Sequence, residues 1–185
     1  YPEVGYEWGK VGLQMALQVG SMSDICVAYL MYGSSISHWN EPYKDTLAVY
    51  EKALVFGIKS GNMQYACYAS AHSQYTAFFS GTRNVPQLVR NLSHDIKFAI
   101  KAGNKWAADV LKGIKFITLC LQHFDRNYDD KLEKILEECR ANNSKQAMCI
   151  ILIIAEYGRI VMNLPLRERM EQAKELLLTV SVQYL

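Results

Sequence analysis

A short phrase recurs along this chain about every 41 residues. Each copy has a glycine or asparagine, then a residue that can cap a helix, then a group of small or apolar side chains. The copies begin at Gly20, Gly61, Gly103 and, in a less regular form, Asn142, at intervals of 41, 42 and 39 residues. Self-similarity at a fixed period of this size is typical of solenoids built from helix pairs. The repeat therefore predicts an all-α chain of stacked helix hairpins.

Two classes of turn alternate in the sequence. In the repeated phrase, the glycine or asparagine is predicted to end one helix in the left-handed conformation, and the residue after it to cap the next helix. A second, looser class of connection lies between these tight turns, at 37–42, 81–86, 124–127 and 162–165. This alternation predicts a superhelical solenoid of about four helix hairpins with a period near 41 residues.

The apolar periodicity places a helix in every interval between turns. No segment alternates with period two for long enough to predict a sheet. Short turns leave no room for a linker, so residues 1–185 are predicted to form a single α-solenoid domain. The predicted helices lie near 6–19, 23–36, 43–60, 63–80, 87–102, 105–123, 128–141, 144–162 and 166–184.

Composition limits the class of protein. Half of the 185 residues are apolar, enough to bury a continuous core without metal ions or disulfides. The longest apolar run, 147–155, is far shorter than the roughly 20 residues that span a bilayer. The sequence shows no basic-then-apolar pattern with a small-residue cleavage site, so we expect no secretory signal. We therefore expect a cytoplasmic protein without a membrane partner. The chain begins at Tyr1 without an initiator methionine, so we expect a segment of a longer protein.

The five cysteines do not form a ligand pattern. Their number is odd, and no pair has the two-residue spacing of a zinc or redox site. Cys26 and Cys67 each follow the glycine of their repeat by six residues. We therefore expect them to be equivalent buried packing positions, and we predict no metal or other cofactor.

Helix 63–80 carries a stripe of aromatic side chains. Its members follow one another at steps of three and four residues, within about 80° of arc on a helix. A stripe of small residues lies beside it. Two interpretations remain open: the aromatic stripe lines a groove that binds a protein or peptide, or it packs between repeats as core, which we favour. The stripe consists of Tyr65, Tyr68, His72, Tyr75 and Phe79.

A basic face on helix 87–102 is a second candidate surface for binding a partner. Arg90, His94, Lys97 and Lys101 lie within about 60° of arc. Such a face can meet an acidic protein or a phosphate backbone. The net charge is only +2, and no aromatic residues alternate with the basic ones. We therefore expect a solvated helix face and no nucleic-acid partner.

No catalytic group of residues is recognisable. Residues 93–95 read Ser-His-Asp, but consecutive helical residues point about 100° apart and are not expected to bond in series. The glycines at 57 and 61 lack the Lys-Ser/Thr ending of a phosphate-binding loop. The sequence therefore predicts that this segment is not an enzyme.

Residues 36–81 resemble a known helical region. The similarity rests on the His-Trp-Asn-Glu-Pro turn at 38–42, on Asn-Met-Gln-Tyr-Ala-Cys-Tyr-Ala at 62–69, and on Phe-Phe-Ser-Gly at 78–81. They are similar to the TPR-like region that follows the ATPase module in large multidomain sensor kinases. Those proteins join a Ser/Thr kinase-like domain, an AAA-type ATPase, a GAF domain and a histidine kinase. Residues from 147 onward, including 167–169, resemble the same region more loosely.

The resemblance implies a TPR-like solenoid with a regulatory role. It implies a non-catalytic interaction scaffold in a multidomain signal-transduction kinase or ATPase, which relays an input to the adjacent ATPase or kinase modules by protein contact. It carries over no catalytic residue. Two alternatives remain: a stand-alone TPR-like adaptor, or the sensor domain of an ATPase-type transcription activator.

Overall fold

The computed structural model of the chain is all-α across the residues it describes, 2–123, 127–165 and 169–182. Two short 3-10 helices, Ser37–Trp39 and Tyr43–Asp45, lie between the second and third α-helices. The predicted start of the last helix at 166, and three residues of the predicted 124–127 connection, lie outside the described residues. The helices are α1 (Pro2–Val19), α2 (Met22–Ser35), α3 (Thr46–Ser60), α4 (Met63–Ser80), α5 (Val85–Lys101), α6 (Lys105–Gln122), α7 (Tyr128–Ala141), α8 (Lys145–Val161) and α9 (Arg169–Val182).

The chain divides into two compact units, residues 1–83 and 84–185. In the first unit α2, α3 and α4 pack in succession, α2 also touches α4, and α1 packs on α2. The core is a cluster of apolar side chains from α2, α3 and α4. Its buried members are Ile25, Tyr29, Leu30, Tyr50, Ala53 and Ala69.

Glycines inside helices allow the close packing of the first unit. A Cβ atom on Gly57 of α3 would lie 2.9 Å from the Cβ of Ala66 and 3.0 Å from the Sγ of Cys26. Cys26 and Cys67 are both fully buried, as predicted. Because Gly57 lacks a side chain, α3 can lie in direct contact with both α2 and α4.

In the second unit α6 and α8 pack against each other although they are not consecutive helices. A Cβ on Gly113 of α6 would lie 2.5 Å from Ile151 of α8, and a Cβ on Gly158 of α8 would lie 2.9 Å from Ile117 of α6. Each helix therefore supplies a glycine that receives an isoleucine of the other. Around this contact α5 packs on α6, α7 touches both, and α9 packs on α8.

Helix ends follow the repeated phrase only in part. Gly61 and Gly103 are left-handed as predicted, but Gly20 does not have a positive φ. In the fourth copy the left-handed residue is Asn143, not Asn142 as predicted. Gly20 is nevertheless a tight position, since a Cβ there would lie 2.5 Å from the carbonyl oxygen of Ala16. The two turn classes are also less distinct than predicted, because the left-handed conformation recurs in the looser class at Gly81. Asn163, in the looser connection 162–165, is also left-handed.

The predicted capping residues hold three of the four helix starts. The side chains of Ser21, Asn62 and Asn104 accept hydrogen bonds from the backbone N–H groups of the first turns of α2, α4 and α6. In the fourth copy the expected cap was Asn143, but the residue at the N-cap of α8 is Ser144, and its side chain makes no capping hydrogen bond. That part of the prediction is wrong. In this turn Asn142 reaches a different partner: its side-chain amide lies 3.1 Å from each carboxylate oxygen of Asp109 on α6.

Candidate protein-binding surfaces

The aromatic stripe of α4 lies at the boundary between core and solvent. All five of its members are half-buried. The rings of Tyr65 and Tyr68 meet edge to face with centroids 5.8 Å apart, and those of Tyr75 and Phe79 are 4.8 Å apart. Two pairs of contacting rings therefore lie toward the two ends of the stripe.

One edge of this stripe belongs to the core of the first unit. Tyr65 and Tyr68 pack against the buried cluster. His72 stacks on the buried ring of Tyr50, with centroids 5.5 Å apart and an angle of 21° between the planes. Burial lowers the pKa of His72 to about 4, so the ring is neutral at neutral pH. The inner edge thus stabilises the fold, while the outer edge presents ring atoms to solvent.

The basic face of α5 is exposed along its length. Arg90, His94, Lys97 and Lys101 all lie on the solvent side, opposite the buried side chains of this amphipathic helix. This placement agrees with a solvated face. The face belongs to the second unit and the aromatic stripe to the first.

The Ser-His-Asp sequence in α5 does not form a relay. The Nδ1 atom of His94 lies 2.9 Å from Asp95 Oδ1, a contact between neighbours that we did not expect. Ser93 instead donates its hydroxyl to the carbonyl of Val89 at 2.6 Å. The serine therefore does not hydrogen-bond to the histidine.

A partly buried ionic cluster in the second unit was missed by sequence reasoning. Arg159 of α8 lies 3.0 Å from Asp129 of α7, and Arg169 of α9 lies 2.8 Å from the same carboxylate oxygen. Arg169 also lies 4.0 Å from Glu156. Arg159 and Glu156 are almost fully buried. The cluster thus joins three helices through paired charges, which suits charges that lie away from water.

The aromatic ring of Tyr128 completes this ionic cluster. Its hydroxyl donates to the carbonyl of Ala155 at 3.1 Å, and the guanidinium of Arg159 lies 5.8 Å from its ring centre. Burial raises the pKa of the Tyr128 phenol. The sequence offered one signal: Glu156 and Arg159 follow the apolar run 147–155 at a spacing of three residues, which places both on one side of α8.

The turn after α2 is held by a carboxylate. Glu41 accepts hydrogen bonds from the hydroxyl of Tyr6 on α1 at 2.6 Å and from that of Tyr32 on α2 at 2.8 Å. Burial and these hydrogen bonds raise the pKa of Tyr32. Trp39 in the same turn is 65% exposed, and its indole N–H donates to the carbonyl of Ser35. The turn that carries the family resemblance is therefore a structural junction with one exposed aromatic side chain.

Two helices expose large apolar side chains in rows. On α8 the row consists of Ile153, Tyr157 and Ile160, with Val161 beside it. On α1 it consists of Val4, Trp8, Val11, Met15 and Val19. Apolar patches of this kind mark contact sites in many proteins. Sequence reasoning missed both rows, because an apolar pattern alone does not show which side of a helix its neighbours cover.

Comparisons with protein-family models, with curated proteins and with solved structures found no match to this chain. Among the described residues, no helix is both long enough and apolar enough to cross a bilayer.

Proposed function

We propose that this chain is a non-catalytic interaction scaffold, a TPR-like α-solenoid with a period near 41 residues that binds other proteins. The observation that carries the proposal is the exposed apolar row of α8. Ile160 is 61% exposed and Tyr157 40%, although the opposite side of the same helix is packed in the core. A helix that is apolar on its outer side as well as its inner side is typical of one that meets a further partner.

The packing of the helices supports the solenoid part of the proposal. The repeated phrase coincides with helix starts at α2, α4, α6 and α8. Contacts of α2 with α4, and of α6 with α8, add a second row of packing to that between consecutive helices. Both features suit stacked hairpins. The role as a relay in a multidomain sensor kinase or ATPase rests on the sequence resemblance at 36–81.

A binding assay tests the scaffold function. Any module that the full-length gene encodes beside this segment is purified and titrated with the chain. We expect Ile160→Glu to weaken binding about tenfold or more, as at interface hot spots, with unchanged melting. Lys134→Ala, at an exposed position on α7, is the control and should bind normally. Equal binding by wild type and Ile160→Glu would remove α8 as the binding surface.

The non-catalytic part of the proposal has its own test. The described residues contain no phosphate loop at a helix start, so the purified chain should neither hydrolyse ATP nor label itself with the γ-phosphate. Turnover of labelled ATP that survives repurification would show that the chain is an enzyme.

A further inference from the structure

The apolar row of α1 is a continuous stripe on the outside of the first unit. Its five side chains follow one another at steps of 4, 3, 4 and 4 residues, within about 80° of arc. Trp8 is 70% exposed and Val19 84%. The other side of α1 faces α2, where Leu13 packs against the core cluster. Steps of three and four are the spacing at which two helices pack along their length.

Two glycines beside this stripe have no role within the unit. Gly5 and Gly12 lie in the interior of α1 and are exposed, and a Cβ on either would meet no atom within 4 Å. Gly9 differs, since its Cβ would lie 2.6 Å from Ile36. Glycine is less favourable than alanine inside a helix, so nothing in the unit favours glycine at 5 and 12. A second helix packed closely against α1 would favour glycine at these two positions.

We propose that α1 is a self-association surface, on which α1 of a second copy packs antiparallel around a two-fold axis near residue 10. In this register large residues meet small ones. Trp8 faces Gly12 of the second copy, and Met15 faces Gly5. The same axis satisfies both pairs, and two-fold symmetry forms each of them twice.

The charge of Glu7 favours antiparallel packing of the two helices, and the small apolar area favours a reversible contact. Antiparallel packing places Glu7 about 9 Å along the axis from its symmetry mate, whereas parallel packing would set the two carboxylates side by side. The exposed parts of the five apolar side chains amount to roughly 500 Å² per copy, so the contact buries on the order of 1,000 Å². This area lies at the lower limit for a specific interface, and we therefore expect a weak dimer.

Sedimentation of the 185-residue chain over a concentration series tests the proposal. The average mass should rise toward that of a dimer, and Trp8→Glu should raise the dissociation constant about tenfold or more. Ile58→Glu is the matched control, because Ile58 is a 51% exposed apolar side chain on α3 of the same unit, away from α1, and the change should leave association unchanged. Gly12→Ala should weaken the dimer yet raise the melting temperature of the monomer. A chain that stays monomeric over the whole concentration series would overturn the proposal. So would an equal rise of the dissociation constant in the two glutamate variants.

Disulfide trapping tests the register. Residues 5 and 15 lie about 15 Å apart along one helix, so cysteines at these positions can bond only between copies. Gly5→Cys combined with Met15→Cys should give a covalent dimer under mild oxidation, whereas Gly5→Cys alone should not. Cross-linking of the single variant would indicate parallel packing and overturn the antiparallel register. The α8 surface lies in the other unit, so failure here leaves the scaffold proposal standing.

Discussion

At the scale of single residues, the helix-interior glycines separate into two kinds. At Gly57 a Cβ would meet Cys26 and Ala66, including the backbone of Ala66 at 3.1 Å. At Gly5 a Cβ would meet open space. The first kind is required by close helix packing, and the second is not required by any contact within the unit.

Alanine at these two positions should therefore change stability in opposite directions. Gly57→Ala should lower the free energy of unfolding by about 1–3 kcal/mol, because overpacking outweighs the better helix propensity. Gly5→Ala, measured at low protein concentration, should raise it by up to about 1 kcal/mol. Urea denaturation measures both changes. A stabilised Gly57→Ala variant would show that α2, α3 and α4 can move apart at little cost.

His72 should make stability depend on pH. Its pKa is about 4 in the folded chain against a reference value of 6.5, so the unfolded chain takes up the proton first as the pH falls. Stability should therefore be lost between pH 6.5 and pH 4, by about 3 kcal/mol at most, and no further loss from this group follows below pH 4. His72→Phe keeps the stack on Tyr50 and should remove this part of the pH dependence. Identical pH profiles of denaturation for the two proteins would contradict the prediction.

At the scale of helices, bounds could be predicted well because they depend on local signals. Asn62 and Asn104 cap the helices that they were expected to cap, and the predicted starts of α4 and α6 coincide with the observed ones. The ionic cluster of Asp129 and Arg159 could not be predicted in this way. Its members are 30 residues apart, and only the packing of α7 on α8 brings them together.

The helix caps should differ in strength. Asn104 accepts a hydrogen bond from the N–H of Ala107 at 2.9 Å, so Asn104→Ala should destabilise the chain by about 1 kcal/mol. Ser144 makes no capping bond, and Ser144→Ala should cost clearly less. Thermal denaturation of the two variants provides the comparison. Equal losses would mean that Ser144 stabilises the start of α8 by some contact other than a cap.

At the scale of the whole molecule, both units bury their cysteines. All five cysteines are outside disulfide bonds and buried. Burial raises the pKa of Cys139 to about 12 and also raises the pKa values of Cys26 and Cys149. Thiolates are the reactive form, so burial and pKa together protect these side chains.

A thiol reagent should therefore report unfolding. In the native chain, a chromogenic disulfide reagent should label less than one thiol per molecule within minutes, and in guanidinium it should label all five. The aromatic stripe offers a control: Tyr75→Cys, at a half-buried position, should add one thiol that reacts sooner. Rapid labelling of the native wild type would indicate frequent opening of one of the units.

The carboxylate of Glu41 has a consequence for the time course of amide exchange. It joins α1 to the turn after α2 across 35 residues, while α1 has far fewer contacts than α2 with the rest of the unit. Segments with few buried contacts open locally, so the amides of α1 should exchange with deuterium before those of α3. Glu41→Gln should speed exchange in α1 alone, and Glu51→Gln, at an exposed site that only approaches Arg83 at 3.7 Å, should not. α1 would then detach and return many times between one global unfolding event and the next, and would behave as a separate kinetic unit of the molecule.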